Sequence, residues 1–244
     1  MMKKWGIAII AFGLIFTACK NDDDADELPQ EEQNQVDDDA IVEYLQDHYF
    51  SPDRGVIKQF DEDDEEDDEY APLRDNATKL PSGVWVVKRP GVIAEGPVAD
   101  NNAQDSILIS YVSTFFKATY EDLAEGEKPY SVYSNTFLST INSTGSPAWD
   151  PVFYFVHLTD AQVENGIPLN GYVIEGFTEG LKEFHSTNTT GADLYNFQGA
   201  IIVPSRMAYG RDFDYLSGTP SYSYRDFSFV FNFELHKVID RNTN

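Results

Sequence analysis

Short apolar segments separated by Gly, Pro, Asn and Ser dominate the chain from residue 80 onward and predict a β-rich domain. Residues 83–88 and 106–116 carry the β-branched and aromatic side chains that are typical of strands. The apolar run 201–203 ends at Pro204, which predicts a short buried strand. We expect strands near Val84, Ile107, Tyr130, Val152, Ile201 and Phe229, and a helix near Glu179. One helical segment among many strands predicts the α+β fold class.

A second helical pattern lies upstream of this region. Behind an aspartate-rich start, residues 38–49 place four side chains at helical spacing: Ile41, Tyr44, Leu45 and His48. An isolated helix of about 12 residues is marginal in water, so this helix needs a partner. We expect it to dock onto its own domain, and the alternative is a dimerisation element.

The N-terminus has the pattern of a lipoprotein signal peptide. Lys3 and Lys4 form a basic segment, residues 5–17 are apolar, and a small-residue cleavage site ends in Cys19. The apolar stretch is shorter than the roughly 18 residues that a membrane-spanning helix needs. Residues 1–18 are therefore predicted to be removed and Cys19 to be acylated, which would anchor the chain to a membrane. Cys19 is the only cysteine, so an intramolecular disulfide is excluded.

The net charge of −25 is concentrated in one region. Residues 21–70 contain 22 acidic side chains, and their only basic side chains are Arg54 and Lys58. Nine acidic residues in succession, 61–69, repel one another and bury nothing, so we expect this run to be extended and disordered. Calcium binding is the alternative, but the run lacks the glycine and the alternating oxygen ligands of an EF-hand loop.

The predicted organisation follows from these patterns. Residues 1–18 are the signal peptide, residues 19–78 are an acidic tether with a short helix, and residues 79–240 are the folded domain. Nucleic acid is excluded as a partner, because proteins that bind phosphates gain affinity from Lys and Arg.

Metal and nucleophile chemistry have little support in the sequence. The histidines are scattered without ligand spacing and without a cysteine partner: His48, His157, His185 and His236. Ser205 lacks the glycine-flanked turn of a serine hydrolase. We therefore expect no metal and no cofactor.

Three blocks of sequence carry a family resemblance. They are GAIIVPSRMAYG at 199–210, GYVIEGFTEGL at 171–181, and FSFVFNFELHKV from Phe227. In this order they resemble the IPxxxAYG, VIxGWxEGL and LxFxVELLxV patterns of FKBP-type peptidyl-prolyl cis-trans isomerases (EC 5.2.1.8). The resemblance covers residues 79–240 and implies a twisted antiparallel β-sheet wrapped around one short helix. With the predicted leader, it is closest in kind to the lipoprotein form of Bacteroidetes.

The resemblance also implies a proline pocket. Tyr111, Ile174 and Tyr209 match its catalytic positions, with the Ile174 N–H holding a peptide carbonyl and the Tyr209 hydroxyl acting as a donor. The substrate-binding positions that match are Val132, Tyr133, Val173, Phe177 and Phe231. Phe177 replaces the usual tryptophan of the pocket floor, which leaves more room.

The main departures from the family lie in PYSVYSN, residues 129–135, and in the long flap 211–226. Val132 stands at the usual phenylalanine and Tyr133 at the usual aspartate, so an acidic group is lost from the pocket. This loss motivates a second hypothesis, a non-catalytic FKBP-like binding or chaperone module on a surface lipoprotein. A third is a purely structural surface lipoprotein. The flap offers three side chains that we expect to close over a ligand: Tyr215, Tyr222 and Tyr224.

The resemblance and the leader together imply the partners and the location. We expect proline-containing polypeptide clients among exported proteins, whose folding the protein assists, and a monomeric chain. The predicted location is the cell envelope, with lipid anchoring to the outer membrane through Cys19, either periplasmic or surface-exposed. The acidic run at 22–24 resembles an export signal of flavobacterial surface lipoproteins.

Overall fold

The structure, a computed structural model, describes residues 28–61, 63–118, 129–132, 136–141, 145–190 and 195–243. Cys19, the predicted signal peptide and Tyr133 lie outside these residues. The helices are α1 (Gln30–Asp47), α2 (Asp160–Glu164) and α3 (Glu175–Leu181). The strands are β1 (His48–Phe50), β2 (Ile57–Gln59), β3 (Ala77–Lys79), β4 (Trp85–Lys88), β5 (Asp105–Ala118), β6 (Tyr130–Val132), β7 (Leu138–Ser139), β8 (Ala148–Trp149), β9 (Gly199–Val203) and β10 (Phe227–Asp240).

Eight of the strands form one antiparallel sheet in the order β3-β4-β9-β10-β5-β6, with β7 and β8 also pairing with β5. The longest ladder joins β5 and β10, which pair from Phe227 opposite Lys117 to Asp240 opposite Asp105. β1 and β2 form a separate hairpin. Helices combined with an antiparallel sheet agree with the predicted α+β class. The strand expected near Val152 is absent, because residues 152–154 form a turn.

The two faces of the sheet support two apolar clusters. Phe229, Phe231 and Phe233 alternate along β10 and pack with α3 on one face. Val230 points to the opposite face, which α1 covers. The sheet therefore packs against helices on both faces, α3 on one and α1 on the other.

Helix α1 is attached to the loop that follows β9 by polar groups as well as by apolar ones. The buried Asp37 carboxylate accepts hydrogen bonds from the Ser205 backbone N–H at 3.2 Å and from the Ser205 hydroxyl at 2.5 Å. Asp38 pairs with Arg206 at 2.7 Å. The expected docking of this helix onto its own domain is what the structure shows.

The predicted tether differs from the structure in two respects. Helix α1 begins at Gln30, earlier than the predicted 38–49, since buried polar residues such as Asp37 extend its docked face. Its side chains share a cluster with Trp85 and Ile202, so the boundary placed at residue 79 divides one packed unit.

The acidic run is also more ordered than its charge suggested. Its described residues make turns that end in a 3₁₀ helix, Asp67–Glu69. Asp67 is buried, and its carboxylate accepts the Asp61 backbone N–H at 2.8 Å. A carboxylate that accepts a backbone N–H closes this turn locally. Within the described ranges, no helix combines the length and apolar character needed to cross a membrane.

Replacing Asp37 by alanine tests the attachment of α1. Asp37→Ala leaves the buried Ser205 N–H without an acceptor, so the free energy of unfolding should fall by about 2 kcal/mol. Urea denaturation of the full chain measures it. Asp39→Ala is the control, because Asp39 lies on the same helix, is exposed and bonds only to Gln35 in the hydrogen bonds described. Equal losses at both positions would contradict the proposed anchoring role.

The same carboxyl predicts a pH dependence. Burial raises the pKa of Asp37 above its usual 3.8, against the opposing hydrogen bonds from Ser205 and Gln33. Protonation therefore stabilises the fold: the contribution is fully present below the unfolded-state pKa and is lost as the pH rises through the folded-state pKa. Asp37→Asn cannot titrate. The stability of the wild type relative to Asp37→Asn should fall as the pH rises above the usual carboxyl pKa of 3.8, as measured by urea denaturation at a series of pH values. A constant difference would refute the raised pKa.

Candidate active site

The residues predicted to form the pocket come together from separate parts of the chain. One cluster contains five of them, from β5, the start of α3, the turn after β9, and β10: Tyr111, Ile174, Phe177, Tyr209 and Phe231. Val173 precedes Ile174 and is also buried. Val132 lies on β6 opposite Phe116. The structure thus brings together five of the residues that the family resemblance grouped.

Close approach of α3 to β9 puts Phe177 into the cluster. A Cβ on Gly176 would lie 2.5 Å from Val203 Cγ1, and one on Gly180 would lie 2.7 Å from Ile201 Cγ2. Side chains at these positions would push the helix away from the strand. The two glycines of the EGFTEGL segment therefore set the depth of the Phe177 ring.

The predicted proline pocket, an apolar cup whose rings are Tyr111, Phe177 and Phe231, is filled by an aromatic ring from the same chain. Phe153 lies with its ring centroid 4.9 Å from Tyr111, 4.8 Å from Phe177 and 4.8 Å from Phe231. Phe153, Phe177 and Phe231 are all 0% exposed, and Tyr111 is 6% exposed. The expected cup is thus a packed aromatic core in this structure. The T-shaped contacts with Tyr111 and Phe177 are favourable beyond their buried area.

Both predicted hydrogen-bond donors already have partners. The Ile174 N–H donates to the Phe153 carbonyl at 2.8 Å, and the Tyr209 hydroxyl donates to the Tyr172 carbonyl at 2.9 Å. These are the two groups expected to hold a client's carbonyls. In the arrangement observed they hold carbonyls of the chain itself.

Burial dominates the electrostatics of the site. It raises the pKa of Tyr111 to about 12. It also raises the pKa of Tyr209, to which the nearby Asp214 and Tyr224 add. Burial likewise raises the pKa of the Asp214 carboxyl, against the hydrogen bonds that it accepts. Both tyrosines are therefore neutral hydroxyl donors at physiological pH, unable to act as bases.

The flap forms a hairpin whose tyrosines have separate roles. Asp214 and Ser221 exchange backbone hydrogen bonds at 2.8 and 2.9 Å. Tyr215 lies over Gly171, and Tyr224 packs against Tyr209 and inside the cluster. Tyr222 is exposed and stacks on Phe213 with centroids 4.1 Å apart.

A groove of about 740 Å³ lies along α3, beside the filled cup. It shares Val173 with the predicted pocket, and its other lining residues were not predicted: Ser82, Asn102, Leu169, Asn170, Glu175, Thr178, Glu179, Lys182 and Met207. Its lining combines apolar surface with groups that can form hydrogen bonds.

A buried polar network crosses β5 and β10 away from the cup. His236 sits at a register shift between the strands; one ring nitrogen lies 2.8 Å from the Ser110 hydroxyl and the other 2.5 Å from the Thr189 hydroxyl. Glu234 approaches the ring to 3.4 Å. Ser110, Glu234 and His236 are buried, so they form a satisfied part of the core. In the part of the chain described, no group of three or more candidate ligand side chains is placed to hold a metal ion.

The residue that sequence reasoning missed is Phe153. Its signal was the aromatic run PVFYF at 151–155, directly after Trp149 and Asp150. Aromatic density predicts burial but gives no information on whether a ring lines a cavity or fills it. The structure assigns Phe153 the second role.

Removing the Tyr209 hydroxyl tests its part in the fold. Tyr209→Phe leaves the Tyr172 carbonyl without this donor, and the free energy of unfolding should drop by about 1 kcal/mol. Tyr222→Phe is the matched control, since this exposed tyrosine should change stability by less than about 0.5 kcal/mol. Urea denaturation compares the two variants, and equal effects would argue against a hydrogen bond that stabilises the fold.

Comparison with known proteins gave structural neighbours only. No family model matches the chain, and no curated protein matches it in sequence. Solved structures that partly align with the chain include FkpA from Escherichia coli, with a TM-score of 0.33 and 18% identity over 68% of this chain and 52% of FkpA, so the chain spans about half of that protein. A peptidyl-prolyl cis-trans isomerase from Pseudomonas syringae pv. tomato gives a TM-score of 0.37 and 14% identity, covering 87% of this chain and 97% of that protein. AtFKBP13 gives a TM-score of 0.33 and 18% identity, covering 66% and 97%. The similarities are too weak for a family assignment.

Proposed function

We propose that this chain is a peptidyl-prolyl cis-trans isomerase of FKBP-like architecture that acts on Xaa-Pro bonds of exported proteins and assists their folding. The observation that carries the proposal is the meeting of Tyr111, Ile174, Phe177, Tyr209 and Phe231 in one cluster. The positions of these residues in the sequence are separated by up to about half of the chain. Their convergence supports a shared site.

The proposed chemistry needs no nucleophile, metal or cofactor. The Xaa-Pro imide rotates against a barrier of about 18–20 kcal/mol that arises from C–N resonance. An apolar cup of Tyr111, Phe177 and Phe231 disfavours the charge-separated planar amide and so favours the twisted state. The Ile174 N–H and the Tyr209 hydroxyl orient the client's carbonyls once they release those of Phe153 and Tyr172.

The proposed setting is the cell envelope. Acylation of Cys19 would anchor the chain to the outer membrane, and proline-containing segments of exported polypeptides would be its clients. The apolar leader that ends in Cys19 supports the anchor. The groove beside α3, which shares Val173 with the cup, offers a surface for the residues flanking the proline.

One observation favours a second candidate, the non-catalytic FKBP-like binding or chaperone module. The cup residues are buried, and both donors are bonded internally. A surface that binds client segments without turnover needs no access to the cup. The exposed Phe213–Tyr222 pair on the flap could serve such binding.

Exchange spectroscopy by NMR on an Xaa-Pro test peptide distinguishes the two candidates. The full chain should accelerate cis-trans exchange, and Tyr209→Phe should lower kcat/KM by at least about 10-fold, or about 1.4 kcal/mol. Tyr222→Phe, which changes an exposed hydroxyl, should leave the rate unchanged.

If the wild-type chain does not accelerate cis-trans exchange of the peptide, catalysis by the protein in the described conformation is rejected. Suppression of aggregation of an unfolded client by that same inactive preparation would then identify the binding module. Equal rates for Tyr209→Phe and Tyr222→Phe would remove Tyr209 from the proposed mechanism.

A further inference from the structure

We propose that the site is occupied by a residue of the same chain. The turn 151–154 inserts Phe153 where a client would bind, and a client can bind only when this turn moves out of the site. The inference rests on the proposed function for the identity of the site. Its first test depends only on the mobility of the turn.

The Phe153 ring makes the contacts expected of a bound apolar group. It lies within 5 Å, between centroids, of rings on β5, α3 and β10, namely Tyr111, Phe177 and Phe231. These three elements belong to the rigid framework of sheet and helix. Phe153 itself lies in a turn outside that framework.

The Phe153 backbone also makes a hydrogen bond that is expected of a bound client. Its carbonyl accepts the Ile174 N–H at 2.8 Å, so a single residue provides both the ring and the carbonyl. Pro151, two residues earlier, accepts backbone N–H groups from Tyr154 at 2.8 Å and from Phe155 at 3.1 Å. The turn is thus a compact unit, closed by its own hydrogen bonds.

Both ends of the turn are held at one place, away from the cup. Arg241 pairs with Asp150, donates to the Asn102 carbonyl at 2.9 Å, and lies 3.5 Å from the centroid of the Phe155 ring. Asp150 also accepts the Ile107 N–H at 3.0 Å. Tyr154 is buried beside these anchors and its hydroxyl donates to the Asp105 carbonyl at 3.2 Å, so outward movement of the turn breaks this bond and exposes Tyr154 as well as Phe153.

Asp150, at the start of the turn, has an unusual backbone conformation. Its φ of 42° lies in the left-handed region, which a non-glycine residue adopts at some cost. The surrounding hydrogen bonds keep it there.

Self-occupancy lowers the apparent affinity for a client, because only the molecules in which the turn has left can bind it. The apparent Kd equals the intrinsic Kd divided by the fraction of such molecules. An open fraction of about one in a hundred would weaken binding about 100-fold. The protein would then act on clients at high local concentration and ignore dilute peptides.

Thiol accessibility measures the opening directly. In the full chain with Cys19→Ser, Phe153→Cys is compared with Phe184→Cys, a buried phenylalanine of the same cluster that packs on Phe233. Phe153→Cys should react with a thiol reagent at least about 10-fold faster in the native protein, at a rate nearly independent of low urea concentrations. Equal rates with the same urea dependence would overturn the proposal.

Hydrogen exchange in the wild-type chain provides the measurement if either cysteine variant fails to fold. The Ile174 amide should exchange through local opening, faster than the Phe231 amide within the β10 ladder. Exchange of both amides only through global unfolding would overturn the proposal.

Activity separates this inference from the proposed function. Phe153→Ala should raise kcat/KM on an Xaa-Pro peptide at least about 10-fold over the wild type, whereas Phe184→Ala should not. Equal activity of a functional wild type and Phe153→Ala would overturn self-occupancy while leaving isomerase function intact. Local opening without isomerase activity in any variant would support the mobile turn and reject the proposed function.

Discussion

Pairing of β5 with β10 is the constraint on which the rest of the structure depends. The two strands run antiparallel from Phe227 opposite Lys117 to Asp240 opposite Asp105. Since side chains alternate along a strand, this one register sends Phe229 and Phe231 to the α3 face and Val230 to the α1 face. A shift by one residue would exchange the two faces, so the position of each helix and of the aromatic cluster follows from this ladder.

Local patterns predicted much of the fold. The apolar run before Pro204 became β9, the phenylalanine-rich segment from Phe227 became β10, and the helix near Glu179 became α3. Each carries its signal within a few residues. The start of α1 at Gln30 could not be predicted in this way, because its docking depends on Gln33 and Asp37, polar side chains whose burial requires Ser205 far along the chain.

The residues grouped by the family resemblance lie together, but the way they pack was not predicted from the sequence. Tyr111, Phe177 and Phe231 could be grouped by residue type and order, and they lie in one cluster. That the cluster is filled depends on a turn at 151–154 where the sequence pattern favoured a strand, and on the Phe153 carbonyl meeting the Ile174 N–H. No periodic sequence pattern predicts the turn or this hydrogen bond, because both depend on how one loop returns to the sheet.

Coverage of the second sheet face has a practical consequence for the boundaries of the protein. Trp85, Ile202 and Val230 are buried together with the apolar side of α1. A fragment starting at residue 79 would expose these side chains as a contiguous apolar surface, and surfaces of this kind promote self-association. Helix α1 therefore keeps this apolar face of the sheet out of water, and a fragment that stays soluble should begin before α1.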